Sequence, residues 1–186
     1  MFRLRPTGLL AVLLLAAGCA GEPVLTTKER QRLAGDPVIL ASYAAADQLV
    51  QTMQARLDPA QPVLVATLSD INHLEESTPL GRLIAEQIAS RIANAGYTVT
   101  EIKLRDGFLV REGEGQFVLS RDARRIGQTA GAQAVVAGTY TPARDSIYVN
   151  LKILQASDGR VLAAHDYVLP MDDNVRVLAK AAGTRY

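Results

Sequence analysis

Two histidines, one cysteine and a trio of arginines are the side chains of this 186-residue chain whose type and spacing invite a chemical reading. His73 lies within residues 69–77, among Asp70, Asn72, Glu75, Glu76 and Ser77. One imidazole among carboxylates is the raw material of a divalent-metal site, and Ser77 with His73 and Asp70 could make a nucleophile, base and orienting acid. Both readings are thin. Metal sites repeat their ligands at regular intervals, and catalysis needs groups that converge, so a solvated loop is the plainer expectation. His165 alternates with Ala163 and Tyr167, the pattern of a half-buried strand residue. Arg121, Arg124 and Arg125 gather on a short helical stretch and could meet an anionic partner such as peptidoglycan or lipid headgroups. The interleaved Asp122 favours a solvated face instead. Gly113-Glu114-Gly115 is a turn, and no Walker loop, GxGxxG or zinc spacing occurs. No catalytic set, metal or cofactor is therefore expected, and the expectation is a protein that is not an enzyme.

Cys19 carries a firmer signal. Arg3 and Arg5 precede an apolar run at residues 8–17, GLLAVLLLAA, which ends in Gly18-Cys19. That layout is a secretory signal peptide. The run falls well short of the roughly 20 residues that span a bilayer as a helix. The segment Leu15-Ala16-Ala17-Gly18-Cys19 resembles the lipobox of bacterial lipoproteins. The resemblance implies a diacylglycerol joined to the thiol by a thioether and cleavage just before the cysteine. A lone cysteine has no internal disulfide partner, and an exposed free thiol is a liability in an oxidising compartment, so lipidation accounts for it. Two or three acyl chains hold a protein on a membrane durably, where one is marginal. Ala20 follows the cysteine. The resemblance to enterobacterial lipoproteins, in which an aspartate there retains the protein at the inner membrane, implies the outer membrane for this chain.

Removing residues 1–18 leaves 168 residues, enough for one domain with a real core. It also removes two arginines, leaving 18 basic against 19 acidic residues and a net charge of −1. A near-neutral chain of mixed charge has no electrostatic footprint for nucleic acid.

Residues 19–37 follow the cut, and the stretch 22–37 is polar and broken by Gly35 and two prolines, which reads as a tether. Asp36-Pro37 starts a helix, with Ile39, Tyr43, Val50, Met53 and Leu57 at helical spacing up to Asp58-Pro59. Residues 62–68, PVLVATL, read as a strand buried on both faces, followed by a loop at 69–77. Thr78-Pro79 opens the clearest helix: Leu80, Ile84, Ile88 and Ile92 recur every fourth residue, and Gly96 closes it. Residues 97–104 are a strand, 108–117 irregular, and Ser120 caps a helix at 121–130 ended by Gly131. Residues 134–141, 147–155 and 160–169 predict a three-stranded antiparallel meander, with Asp158-Gly159 at one turn and residues 142–146 at the other. Residues 171–186 form a polar tail with a short helix at 174–182. The expected architecture is α/β (α+β): a mixed sheet ending in the meander, with helices packed on it. Pro79 and Gly81 have structural uses. Proline suits a first helical turn, and glycine there lets the helix start approach another backbone closely.

The stretches 63–105 and 115–170 resemble the FlgO family of outer-membrane lipoproteins associated with the bacterial flagellum. The segment ESTPLGR (76–82) and Leu119-Ser120-Arg121-Asp122 are the most specific parts. The resemblance implies a domain at residues 38–170 with a fold like the amino-terminal domain of TolB and other periplasmic α/β domains. It implies no enzymatic activity, and a link to flagellar stability and motility through envelope or flagellar protein partners. The alternative reading is an accessory envelope lipoprotein that regulates a cell-wall synthase or a secretion channel. A hydrolase built on the loop around His73 ranks third.

Overall fold

The computed structural model describes residues 35–74, 78–102, 125 and 127–180. The first helix, α1, is Pro37–Gln54. Asp36 caps it, its carboxylate accepting from the Val38 and Ile39 amides at 2.9 and 3.3 Å, and Pro37 occupies the first turn where no N–H is needed. The helix stops at Gln54, four residues before the expected Asp58-Pro59 boundary, and Leu57 reaches the core from the following turn.

The buried face of α1 is rotated from the expected stripe. Val38, Ser42, Ala45, Ala46, Leu49, Val50 and Met53 are buried, whereas Tyr43 is 37% exposed and Ile39 only half-buried. Two small residues at the centre of that face let α1 sit close to its neighbours. The larger Tyr43 is turned outward, where the Arg91 guanidinium stacks over its ring at 5.6 Å.

Among the described residues six strands form one mixed sheet. They are β1 (Val63–Ala66), β2 (Ser69–Asp70), β3 (Val99–Ile102), β4 (Ala134–Pro142), β5 (Ser146–Gln155) and β6 (Val161–Pro170). The order is β3-β1-β4-β5-β6, with β2 continuing the line of β1 along β4. β1 pairs in parallel with both β3 and β4, while β4, β5 and β6 form the antiparallel meander. The sheet and the α+β class agree with the sequence expectation. One boundary moves: Ser69 and Asp70 were expected in a loop, yet they pair with Thr139 and Tyr140 as a strand.

α2 (Pro79–Asn94) joins the β1–β2 line to β3. Its expected stripe is its buried face: Leu80, Ile84, Ile88 and Ile92 are fully inside. Gly96, at φ +93°, supplies the left-handed residue that ends this helix. α1 and α2 pack together over one sheet face, and the main core lies between. Arg91 stitches the two helices from outside, donating to both Asp47 carboxylate oxygens at 2.7 and 2.9 Å. That fork holds the Asp47 carboxyl below its ordinary range, first through the hydrogen bond and then through charge.

On the opposite face a smaller core joins Leu64, Val135, Ala137 and Leu154 to Ala132 and Ala130, beside the helical turn at 127–129. The carboxyl-terminal helix is shorter than expected. It is α3, Asp173–Leu178, capped by Asp172, and its Val175 is buried in the main core.

Candidate functional site

The segment 78–82 and the strand it faces meet at a bulge. From Val65 to Ser69 the β1–β2 line advances four residues while β4 advances three, from Val136 to Thr139. The extra residue releases the backbone at Thr67-Leu68 from the ladder, as bulges do. The freed Leu68 amide donates to the Gly81 carbonyl at 3.3 Å, in the first turn of α2. A Cβ on Gly81 would lie 2.0 Å from the Leu68 carbonyl oxygen, so only glycine fits. The Leu68 side chain settles over Gly138, where a Cβ would come within 3.1 Å of Leu68 Cγ and 2.7 Å of the Asn150 carbonyl oxygen. Thr78 caps α2, its hydroxyl accepting from the Gly81 amide at 3.2 Å. The same hydroxyl meets the Tyr140 hydroxyl at 2.6 Å in a fully enclosed setting. A buried phenol needs such a partner, and Thr78 supplies it.

These residues hold a helix start against a bulged strand. The close backbone approach expected at Gly81 is what the structure shows. Tyr140, Leu68 and Gly138 were not foreseen. Their only sequence signal is a tyrosine and a glycine inside an apolar strand, which does not reveal the partner across the sheet.

The loop beyond β2 turns sharply. Asp70 is 8% exposed, and its Oδ1 accepts from the Asn72 amide at 2.9 Å and the Asn72 side chain at 3.1 Å. The His73 amide donates to the Asp70 carbonyl at 3.0 Å, and the Ile71 amide to the Tyr140 carbonyl at 2.9 Å. The Asp70 carboxylate thus engages Asn72, and the His73 side chain projects exposed. Glu75, Glu76 and Ser77 lie outside the described residues, so the imagined triad has only two of its members on view. Among the described residues no group of three His, Cys, Asp or Glu is placed to hold a metal ion. His165 is half-buried and stacks on Tyr167, centroids 6.2 Å apart, as a sheet residue.

Of the arginine trio, Arg125 is exposed on the short helix, with its carbonyl accepting from the Thr129 hydroxyl at 2.9 Å. Arg121 and Arg124 lie outside the described residues, as does Cys19. No helix among the described residues is long and apolar enough to cross a membrane.

A bulged mixed sheet with two helices on one face, and a signature segment engaged in holding it together, defines a small α+β domain with a structural hallmark. The family model described as "FlgO protein" matches residues 43–174, and the chain belongs to the FlgO family. A comparison with curated protein sequences returns no match. Among solved structures, the chain is similar to the LpoB C-terminal domain from Salmonella enterica, with a TM-score of 0.50 and 13% identity over 69% of this chain and 94% of that one. The LpoB C-terminal domain from Escherichia coli gives 0.47 and 13% over 69% and 97%. The PelC dodecamer from Paraburkholderia phytofirmans gives 0.44 and 14% over 61% and 74%. At such identities the likeness is one of fold. Family membership supports an outer-membrane lipoprotein with an accessory, non-catalytic role.

Proposed function

We propose that this protein is anchored by lipid on Cys19 to the outer membrane, faces the periplasm, and acts by contacting other envelope proteins in flagellar stability or motility. The observation that carries the reading is how residues 78–82, within one of the two segments most specific to the family, are used. Thr78 and Gly81 are engaged in capping α2 and seating it on the bulge, so the signature marks a shared scaffold and leaves recognition to the surface. Residues 19–37 serve as the anchored cysteine and tether, residues 38–170 as the domain. His73 and Arg125, both exposed, are candidate contacts on that surface, and Arg121 and Arg124 are candidates from the sequence alone.

Deletion of the gene in a motile host tests this. Swimming or retention of flagella should be impaired, and the wild-type chain should restore it. Cys19→Ser should neither take up a fatty-acid label nor complement, because a hydroxyl cannot replace the thiol in the thioether and the domain is no longer concentrated at its partner. His73→Ala should complement. A deletion strain that swims normally and keeps its flagella would sink the flagellar reading and turn attention to other envelope assemblies. Failure of a well-folded, abundant His73→Ala to complement would recast the loop around it as a site.

A further inference from the structure

At the end of the sheet away from Gly81 lies a cleft of about 560 Å³, between the exit of α1 and the turn joining β5 to β6. That volume falls within the roughly 300–1,000 Å³ of ligand pockets. Its distinguishing feature is two guanidinium groups brought together from distant parts of the chain. Arg56 follows the end of α1 and donates Nη1 to the Leu162 carbonyl at 2.8 Å, across 106 residues. That carbonyl is available because the β5–β6 register shifts there: Ile153 pairs with Ala163 and Leu154 with Val161, leaving Leu162 bulged out of the ladder. Arg56 forms no ion pair with a described residue, and one hydrogen bond uses one of its five donors.

Arg160 enters from the other side. It donates Nη2 to Gln155 Oε1 at 2.7 Å and approaches Asp158 only to 3.8 Å. The other Asp158 carboxylate oxygen accepts from the Arg160 amide at 3.0 Å, so most of this carboxylate's hydrogen bonding is spent in its own turn. The nearby Asp58 likewise folds onto the Ala60 amide at 3.0 Å. The floor is fixed: Gln133 donates to the Asp58 and Gln61 carbonyls and accepts from the Asp58 amide. Leu57, Val161 and Leu162 supply apolar walls, with Val161 48% exposed.

We infer that this cleft binds a carboxylate-bearing peptide segment, with Arg56 and Arg160 gripping the carboxylate and the apolar walls taking the neighbouring side chains. A guanidinium offers paired donors in a plane that matches a carboxylate, and the shortest contact of each arginine is with a neutral oxygen, the Leu162 carbonyl for Arg56 and Gln155 Oε1 for Arg160. Among the described residues two guanidinium groups and no carboxylate line the cleft itself, which makes its lining the charge complement of such a segment. The mixed apolar and amide lining suits a peptide better than a small inorganic anion. The inference deepens the interaction-module reading by naming the partner's chemistry. It is tested on the purified protein, so a motility result can fail without touching it.

The test is a calorimetric titration of the full chain in mild detergent with the peptide acetyl-Leu-Glu-Leu-Glu-amide, its glutamine counterpart, and inorganic phosphate. The acidic peptide should bind at least tenfold more tightly than either control, and more weakly as salt is raised, because exposed charges are screened. Arg160→Gln, whose side chain touches no backbone group, should melt as the wild type does and lose most of that affinity. Arg56→Lys keeps a donor for the Leu162 carbonyl but loses the planar fork, and should weaken binding without unfolding the domain. Equal binding of the acidic and neutral peptides, no binding of either, phosphate binding as tight as the acidic peptide, or a stable Arg160→Gln with unchanged affinity would each overturn the inference.

Discussion

The two faces of the sheet are built differently. On one, α1 and α2 cover β1, β4, β5 and β6, and the main core includes Val63, Val65, Val136, Leu151 and Leu169. On the other, among the described residues, a smaller cluster covers the parallel end around Leu64 and Val135. At the antiparallel end Tyr148 and Val168, paired across β5 and β6, are 51% and 53% exposed. The difference follows strand pairing. Parallel strands need crossover connections that pass over the sheet, and those connections bury both faces. A meander turns back through short hairpins and leaves one face open. Stability should therefore reside on the covered face and its seam with α2, and the open face should be free to vary.

Gly81→Ala attacks the seam, and the largest effect is expected there. The added Cβ meets a backbone oxygen rather than a flexible side chain, so the helix start must move and the Thr78–Tyr140 contact must loosen with it. A loss upwards of about 3 kcal/mol is expected from urea unfolding. A loss under 1 kcal/mol would show that the helix can shift freely from the bulge.

Ile88→Ala empties the middle of the α2 stripe, which is fully buried. A cost of about 3 kcal/mol, read as a clear fall in melting temperature, follows from lost burial and the cavity left behind. An unchanged melting curve would mean that this face of α2 is not the one against the sheet.

Tyr167→Phe sharpens the comparison from beneath α1. The Tyr167 hydroxyl is buried near Ser42, whose own hydroxyl is enclosed, and among the described residues neither oxygen has a partner in hydrogen-bonding geometry. Burial pushes the Tyr167 phenol up from 10.0 to about 12. The folded state thus holds this proton more tightly than the unfolded chain. Its contribution is whole below pH 10 and is lost as pH rises towards 12. Phenylalanine should leave stability at pH 7 unchanged or raise it by up to about 1 kcal/mol, since it removes an unpaired buried hydroxyl. It should also flatten the decline above pH 10. A clear destabilisation at pH 7 would mean that Tyr167 and Ser42 are hydrogen-bonded.

The smallest effect belongs to the open face. Tyr148→Ser should change unfolding free energy by less than about 1 kcal/mol, the scale of one exposed cross-strand pair. A larger loss would indicate that this face is covered after all.

Much of this design was legible beforehand. The clean alternation of Ile147, Val149, Leu151 and Ile153 marked a one-sided strand, and the continuous apolar run at Val63 marked a two-sided one. Caps at Asp36 and Thr78 and the turn at Asp158-Gly159 were visible because they act within a few residues. The buried face of α1 departs from the stripe of large residues because small Ala45 and Ala46 lie at its centre, where close approach matters more than size. Ser69 and Asp70 form a strand where the sequence predicts a loop, because two strand residues leave no periodicity to read.

Local chemistry, which acts between residues close in the chain, follows from the sequence itself: where α1 and α2 begin, where the hairpin at Asp158-Gly159 turns, and which faces of α2 and β5 are apolar. Contacts between residues far apart were decided only by the tertiary structure. They set Gly81 against Leu68, Tyr140 against Thr78, and Arg56 beside the bulged Leu162. No pattern along the chain encodes them, because each depends on how two distant segments are brought together when the sheet and its helices pack.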